Sequence, residues 1–487
     1  MKFYNRINEI KSLKNDIKIS KNSFIFKVFS WIRRIGKTSL ITKAVVDSKE
    51  KYLYLYITHS KHVNILIQEI KDLTKSSLWV DLKGKSTLRE IFEELFIYWT
   101  KNYYILVIDE FQNFEYIDKS FFWDFQYLID TYWTWVTRSS KHWLSKMLLI
   151  CTGSYVSLIN KIFAFPTAPL FRRSDANIKI KELAFKYILE ICNDHWLDFN
   201  DTLRMYTLFW WIPYYYEKII KNNLHTKSIS EIFKSMFLIL EREKVKLILE
   251  TELKSNQLSF AILEGVSLGN NTKKDLMLYL YWRWLKPLDY KSKYRNLELT
   301  INNLIELEIL INKQKVPNTR IRQATSRYFI INRFFKIYFK YVYKNSSLIE
   351  EGSYNFVIDT FKRDFEKDLW IVYEDIVKEF LLSWNYWLKF SEIWKWWKWS
   401  KEEIDILWVN DLDNFMLWVE CKYSVKKKWV DVIEKLIKRM KLINWDKKNS
   451  KTSFLFLIVS HCWFTREAIE YAKMNKIDLL NTTELKF

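Results

Sequence analysis

The chain has 487 residues, which is too long for one ordinary core and indicates about two to four domains. Lys and Arg number 78 against 57 Asp and Glu, and the resulting net charge of +21 favours polyanionic partners such as nucleic acid. Four separated cysteines and six scattered histidines form no zinc pattern, no apolar run reaches about 18 residues, and the polar start is no secretory signal. We therefore expect a soluble, cytoplasmic protein with free thiols and no membrane partner.

The first 250 residues alternate strand-like and helix-like segments. Apolar, β-rich runs predict five strands, at 23–30, 52–57, 103–111, 146–154 and 176–183. Fully apolar strands separated by helices are typical of a parallel sheet that is covered on both faces. The pattern from about 184 to 250 is helical. The sequence thus predicts an α/β core over 1–183, followed by a helical lid over 184–254.

The second half of the chain predicts two further domains. Apolar residues on one helical face, including Leu297, Ile301 and Leu304, precede a segment that suits a short β-hairpin. Helices followed by a hairpin favour a winged helix-turn-helix over 255–350. Strand-like runs at 403–409, 415–423 and 452–460 then indicate a C-terminal α/β domain over 351–487.

The segment "FSWIRRIGKTSL" at 29–40 ends as a phosphate-binding loop does. Such a loop reads G-x-x-x-x-G-K-[ST], and this chain matches it except for Trp31 in place of the first glycine. A five-residue match recurs by chance, but here a strand precedes the loop, a helix follows it, and an apolar strand ending in Asp109 and Glu110 comes later. The predicted nucleotide-binding residues are Trp31, Arg33, Arg34, Gly36, Lys37, Thr38 and Ser39.

These residue types predict an ATP site that uses Mg²⁺. Backbone N–H groups of the loop surround phosphate oxygens, and Lys37 bridges the β- and γ-phosphates as a mobile charge. Thr38 and Asp109 are the predicted metal-binding residues, and Glu110 is the group expected to polarise the attacking water.

The composition raises a question about Trp31. Glycine makes up about 7% of average proteins, so about 34 glycines would be expected, and this chain has 6 glycines and 24 tryptophans. Tryptophan stands where glycine is expected at Trp31, Trp210, Trp211, Trp394 and Trp399. We interpret many of these positions as UGA codons that the organism reads as glycine. The alternative is an aromatic-rich protein with a decayed loop.

Several motifs together resemble the bacterial and archaeal P-loop ATPases of the AAA+/STAND type that carry a C-terminal domain of unknown function resembling PD-(D/E)XK nucleases. The start "FYNRINEIKSL" is similar to that group's F-x-x-R-x-x-E-x-x-x-L, and "LVIDEFQNF" to its Walker B strand. "ICTGSYVSL" is similar to the strand that ends in a polar sensor, and "PLFRR" to its Pro-Leu-Tyr-Gly-Arg run. The resemblance implies ATP-dependent switching, with Ser154 as sensor and Arg173 as a trans-acting or sensor arginine.

A second site is predicted near the C-terminus. In "EEIDILWVNDLDNFMLWVECKY", Glu420 and Lys422 lie two residues apart on a strand and so share one face, and Asp405 lies on the adjacent strand. Two carboxylates and a lysine can bind Mg²⁺ and assist a water nucleophile, and Glu374 is a candidate fourth member. The resemblance implies the same register. An ordinary surface Glu–Lys pair is the alternative.

The functional prediction is an ATP-hydrolysing AAA+/STAND-type switch ATPase that acts on or with DNA. The alternatives are a nucleotide-regulated, Mg²⁺-dependent nuclease and a non-hydrolysing DNA-binding regulator. Basic segments in the winged helix and the C-terminal domain are the predicted DNA contacts. The alternatives are a winged helix that packs on the ATPase as an extension of the lid, and a solvated face for the basic helix at 424–441. A protein partner and an ATP-dependent oligomer complete the expected partners.

Overall fold

The computed structural model describes residues 4–30, 36–138, 146–154, 156–180, 182–240, 242–253, 256–284, 290–313, 327–383, 392–398, 402–410, 415–423, 429–440 and 453–485. The chain divides into two compact units. One comprises Met1–Leu183 with Ile212–Glu217, and the other Ala184–Trp211 with Lys218–Phe487. The finer division into four domains stays a prediction.

The first unit is built on a parallel sheet of five strands. The strands are β1 (Phe24–Ser30), β2 (Tyr52–Tyr56), β3 (Tyr104–Asp109), β4 (Met147–Gly153) and β5 (Ala176–Lys179). Their order is β2-β3-β4-β1-β5, and all neighbours are parallel. Every residue of β3 and β4 is buried, which explains why these two strands are continuously apolar. The α/β class with a parallel sheet is confirmed.

Helices cover this sheet and complete its core. They are α1 (Ile7–Ser20), α2 (Lys37–Ser48), α3 (Val63–Leu78), α4 (Leu88–Lys101), α5 (Phe114–Ile117), α6 (Phe121–Arg138) and α7 (Val156–Phe163), with a 3₁₀ turn at Phe111–Asn113. Phe111, in the turn after β3, packs edge to face on Phe114 of α5 and at a tilt on Phe125 of α6. Phe92 of α4 packs edge to face on the same two rings. This aromatic core fixes the position of the segment that follows Asp109.

The second unit begins with helices. They are α8 (Phe185–Asn193), α9 (Phe199–Phe209), α10 (Pro213–Lys221, whose first residues belong to the first unit), α11 (Ile229–Phe233), α12 (Arg242–Glu252), α13 (Gln257–Ser267), α14 (Lys273–Trp284) and α15 (Tyr290–Glu306). Strands β6 (Leu310–Lys313) and β7 (Arg327–Ile330) then pair antiparallel. Most of the predicted basic wing lies outside the described residues. The winged-helix assignment stays a prediction.

The rest of the second unit forms a mixed sheet with helices. The helices are α16 (Arg333–Ile337), α17 (Ser346–Glu350), α18 (Tyr354–Ser383), α19 (Trp429–Met440) and α20 (Arg466–Met474), with a π-helical stretch at Tyr338–Val342. The strands are β8 (Glu392–Lys398), β9 (Glu402–Asn410), β10 (Phe415–Lys422), β11 (Ser453–Ser460) and β12 (Ile477–Asn481). Their order is β12-β11-β10-β9-β8, parallel from β10 to β12 and antiparallel from β8 to β10. The sequence predicted β9, β10 and β11 but neither edge strand.

Among the residues that the structure describes, three tryptophans adopt backbone conformations that favour glycine. Trp79 closes α3 at φ 63° with its side chain 86% exposed, and Trp196 lies after α8 at φ 64° and is 97% exposed. Trp210 closes α9 at φ 54° and ψ −139°, outside the regions that residues with a Cβ ordinarily occupy. An exposed indole gains nothing in return for this backbone strain. These conformations favour the glycine interpretation at three positions, two of which the sequence pattern did not single out.

Two buried tryptophans, Trp99 and Trp418, differ in how well their indole nitrogens are satisfied. Trp99 is buried, stacks on Tyr104 and donates its indole N–H to the Tyr104 carbonyl at 3.0 Å. Trp418 is also buried, but its indole nitrogen has no hydrogen-bond partner among the described residues. Trp31 and Trp399 lie outside the described residues, as does the side chain of Trp394.

Candidate functional site

Helix α2 begins within the last residues of the phosphate-loop motif. Gly36 precedes the helix at φ 86°, a conformation that glycine adopts without strain. Lys37 is its first residue and is buried, and its Nζ donates to the Gly153 carbonyl at 2.7 Å and to Ser154 Oγ at 3.0 Å. Thr38 and Ser39 follow on the exposed side. Trp31, Arg33 and Arg34 lie outside the described residues, so their predicted contacts stay predictions.

Asp109 ends β3 and is almost completely buried. Its Oδ2 accepts hydrogen bonds from the hydroxyls of Thr38, at 2.9 Å, and Tyr54. Its Oδ1 accepts from the Thr152 hydroxyl and from the backbone N–H of Glu110, the latter at 3.0 Å. Burial raises the pKa of the Tyr54 hydroxyl, and the negative charge of Asp109 raises it further. The hydroxyl therefore stays protonated and remains a hydrogen-bond donor.

Glu110 follows Asp109 in a left-handed conformation, at φ 57°. Its Oε1 accepts from Ser154 Oγ at 2.5 Å, and its Oε2 accepts from Gln112 Nε2 at 2.5 Å. Because Lys37 donates to the same Ser154 oxygen, one hydroxyl connects the loop lysine with the predicted catalytic carboxylate. The positive φ turns the chain sharply after the strand, so that Asp109 and Glu110 both reach this network.

Gly153 makes the close approach of β4 to this network feasible. A Cβ at this position would lie 2.2 Å from the Ile159 side chain and 2.6 Å from Gln112 Oε1. No side chain fits there without moving its neighbours. The glycine therefore keeps the carbonyl that Lys37 contacts, and the Ser154 hydroxyl that follows it, next to Glu110.

Thr38 and Asp109 present the oxygen donors that Mg²⁺ prefers. A hydroxyl and a carboxylate in hydrogen-bond contact fit a magnesium ion that Thr38 would contact directly and Asp109 through a bound water, with nucleotide phosphates among the further ligands. Within the described part of the chain there is no group of three or more His, Cys, Asp or Glu residues placed to hold a metal ion. Phosphate oxygens would therefore have to supply part of the ligand set here.

Arg173 belongs to a different contact set. Its Nε and Nη2 donate to both oxygens of Asp130, at 2.6 and 2.9 Å, and its Nη1 donates to the Phe171 carbonyl at 3.0 Å. The Asp130 carboxylate raises the pKa of the guanidinium, which stays charged. The described contacts do not join Arg173 to Asp109 or Glu110. Its role as a trans-acting or sensor arginine stays a prediction, and it would require release from Asp130.

The four C-terminal candidates surround the end of β10. Asp405 on β9 accepts the Cys421 N–H at 2.8 Å. Glu420 is buried and accepts from Lys422 at 2.6 Å and from Arg439 on α19 at 3.0 and 3.2 Å. Both oxygens of Glu420 are thus paired with cations. The sequence interpretation brought Lys422 and Glu420 together but treated the basic helix that carries Arg439 as a solvated face.

Electrostatic effects connect the remaining candidates to this cluster. Burial, together with the charges of Asp405, Glu374 and Glu420, raises the pKa of the Cys421 thiol. Burial alone would lower the pKa of the Lys422 ammonium, but Glu420 and Asp405 outweigh it, so this pKa lies above its ordinary value. The Lys422 ammonium also lies 5.2 Å from the centre of the Trp370 ring. The Lys422 ammonium therefore stays charged near neutral pH.

Comparison with known proteins matches both units. Residues 338–434 match a family described as "Archaea bacterial proteins of unknown function". A Walker-type ATPase of Pyrococcus abyssi superposes with a TM-score of 0.52 at 19% identity, over 69% of this chain and 96% of that chain. The chain therefore shares the fold of that Walker-type ATPase, and its residues 338–434 resemble the domain that the family model describes. The recognition made from the motifs is confirmed at this level.

One further sequence and one further solved structure are similar to most of this chain. An uncharacterized protein of Methanocaldococcus jannaschii is 28% identical over 458 residues, which is 91% of this chain and 93% of the relative. The ORC2 protein of Aeropyrum pernix, in ADPNP–ADP complexes, is 14% identical over 75% of this chain and 96% of that chain, with a TM-score of 0.46. Among the described helices, none combines the length and apolar character needed to cross a bilayer.

Proposed function

We propose that this protein binds and hydrolyses ATP with Mg²⁺ and acts as an AAA+/STAND-type switch. The observation that carries the proposal is the convergence of Lys37, Asp109 and Glu110, with Ser154 between them, from three adjacent strands of one parallel sheet. Ligands of such sheets bind outside the carboxyl ends of the strands, and all these groups lie at or after the carboxyl end of a strand. Each group has the chemistry that phosphoryl transfer requires.

The roles follow from these contacts. Lys37 exchanges the Gly153 carbonyl and Ser154 for phosphate oxygens. Thr38 and Asp109 would hold Mg²⁺, which would supply positive charge beside the phosphates. Glu110 accepts a proton from, or polarises, the attacking water, after its carboxylate is released by Ser154 or Gln112. Because Lys37 and Glu110 share Ser154, binding of phosphate at Lys37 alters the hydrogen bonds that hold Glu110.

ATP turnover by two versions of the chain tests the proposal. One version is the printed sequence, and the other carries glycine at 31, 79, 196 and 210. We expect turnover in the glycine version, and a loss of about 100-fold or more in its Glu110→Gln variant with ATP binding retained. If neither version turns over ATP, with or without DNA, the non-hydrolysing DNA-binding regulator replaces this proposal.

A Mg²⁺-dependent nuclease is the second candidate. It is favoured by Glu420 and Lys422 on one strand beside Asp405, with phosphodiester DNA as substrate and the net charge of +21 as the attraction to it. Nicking of supercoiled DNA that requires Mg²⁺ and is lost in Glu420→Ala would support it. Nicking that survives in this variant would come from another source.

A further inference from the structure

Asp109 has no unused lone pair for a metal-bound water. An ionised carboxylate offers about four acceptor sites. Four donors fill them in this structure, namely the hydroxyls of Thr38, Tyr54 and Thr152 and the Glu110 N–H. Magnesium usually keeps several waters, and such a water needs an acceptor on the carboxylate. One of the four donors must therefore leave when the metal–nucleotide complex binds.

Three of the donors are poorly suited to leave. The Glu110 N–H is backbone and is fixed by the turn after β3. Thr152 is buried on β4, between β3 and β1 in the sheet. Thr38 can donate its proton to Asp109 and bind a metal through its oxygen at the same time.

Tyr54 differs in each of these respects. It lies on β2, the edge strand of the sheet, and is only half-buried. Its hydroxyl sits at the end of a long side chain, so a small rotation removes the hydrogen bond and leaves the strand in place.

We propose that Tyr54 is a positioning residue that sets the magnesium requirement of the site, an inference that rests on the proposed function. Its hydroxyl occupies the Asp109 lone pair that a magnesium-bound water takes over when nucleotide binds. In the absence of the metal, the same hydroxyl compensates part of the buried carboxylate charge. The side chain thus makes occupation of the site depend on metal and nucleotide together.

The test is equilibrium binding of a fluorescent ATP analogue by the full chain at increasing Mg²⁺, in the printed sequence and in Trp31→Gly. Tyr54→Phe removes the competing hydroxyl and keeps the ring. We expect the Mg²⁺ concentration at half-saturation to fall roughly threefold to tenfold, with binding in EDTA unchanged. An unchanged or higher Mg²⁺ requirement overturns the inference and leaves the proposed function standing.

Two control variants separate this role from a general loss of contacts. Tyr52→Phe removes a hydroxyl from the same strand away from Asp109, and we expect no change in the Mg²⁺ requirement. Thr152→Val removes a different donor from the same carboxylate, and an equal fall in that variant would contradict a special role for Tyr54. If neither version of the chain binds nucleotide, the proposed function fails, and this inference fails with it.

Discussion

Asp109 in the first unit and Glu420 in the second are both buried carboxylates at the end of a strand, but different groups hold them. Four uncharged donors surround Asp109, whereas Lys422 and Arg439 pair with Glu420. Uncharged donors leave the negative charge available to a cation that arrives with a ligand. Cations cancel that charge in advance, so a metal ion would have to displace a charged partner from Glu420, whereas at Asp109 only an uncharged donor has to leave. The described hydrogen-bond partners thus leave the charge of Asp109 in place and neutralise that of Glu420.

Removing the charge of Glu420 tests this contrast and should cause the largest loss of stability among the proposed variants. Glu420→Gln leaves Lys422 and Arg439 in a mostly buried cluster without their shared anion, and we expect the second unit to lose about 3 kcal/mol. Hydrogen exchange of the β10 and β11 amides measures this local loss. The control Glu434→Gln, exposed on α19, should change little. A more stable Glu420→Gln variant would instead indicate a carboxylate repelled by its acidic neighbours, as in an empty metal site.

Glu379 sharpens the comparison as a buried carboxylate of a third kind. It accepts a hydrogen bond from the Phe185 N–H at the start of α8. Burial raises its pKa to about 7; the Phe185 hydrogen bond and the charge of Lys186 oppose this rise, and the charge of Asp375 adds to it. Because the folded pKa exceeds the ordinary 4.5, its contribution to stability is complete below pH 4.5 and is lost as the pH rises through about 7.

The corresponding variant is Glu379→Gln, which cannot ionise. We expect it to exceed the parent chain by about 2 kcal/mol at pH 8 and to match it at pH 4.5. Urea unfolding followed at both pH values measures the difference, with Glu366→Gln on the exposed face of α18 as control. A difference that does not depend on pH would show that Glu379 does not titrate in this range.

The smallest effect is expected from one uncharged donor of Asp109. Thr152→Val keeps the shape of the side chain and removes one hydrogen bond, which should cost the first unit about 1 kcal/mol. Hydrogen exchange of the β3 and β4 amides, measured beside thermal unfolding, gives the free energy lost. Thr100→Val on the exposed surface of α4 is the control. A loss as large as that of Glu420→Gln would remove the distinction between uncharged and cationic partners.

The sequence predicted the first unit better than the contacts within its site. The predicted runs correspond to the five strands, and β3 and β4 are continuously apolar because both of their faces are buried. The edge strands β2 and β5 are only partly buried. Tyr54 and Thr152 were missed, since both lie within apolar runs and only the pairing of β2, β3 and β4 brings them to Asp109. The helical spacing of the sequence does indicate the inward position of Arg439. It lies three residues after buried Leu436 and so shares the inward face of α19.

The positive φ angles of Trp79, Trp196 and Trp210 bear on how the protein should be produced. If those codons are UGA, an expression host with the standard code stops at the first of them, and a gene recoded with UGG yields a chain strained at two helix ends and at Trp196. Recoding with glycine triplets yields a different molecule from the same open reading frame. The choice of synthetic gene therefore decides which protein is purified, before any assay is performed.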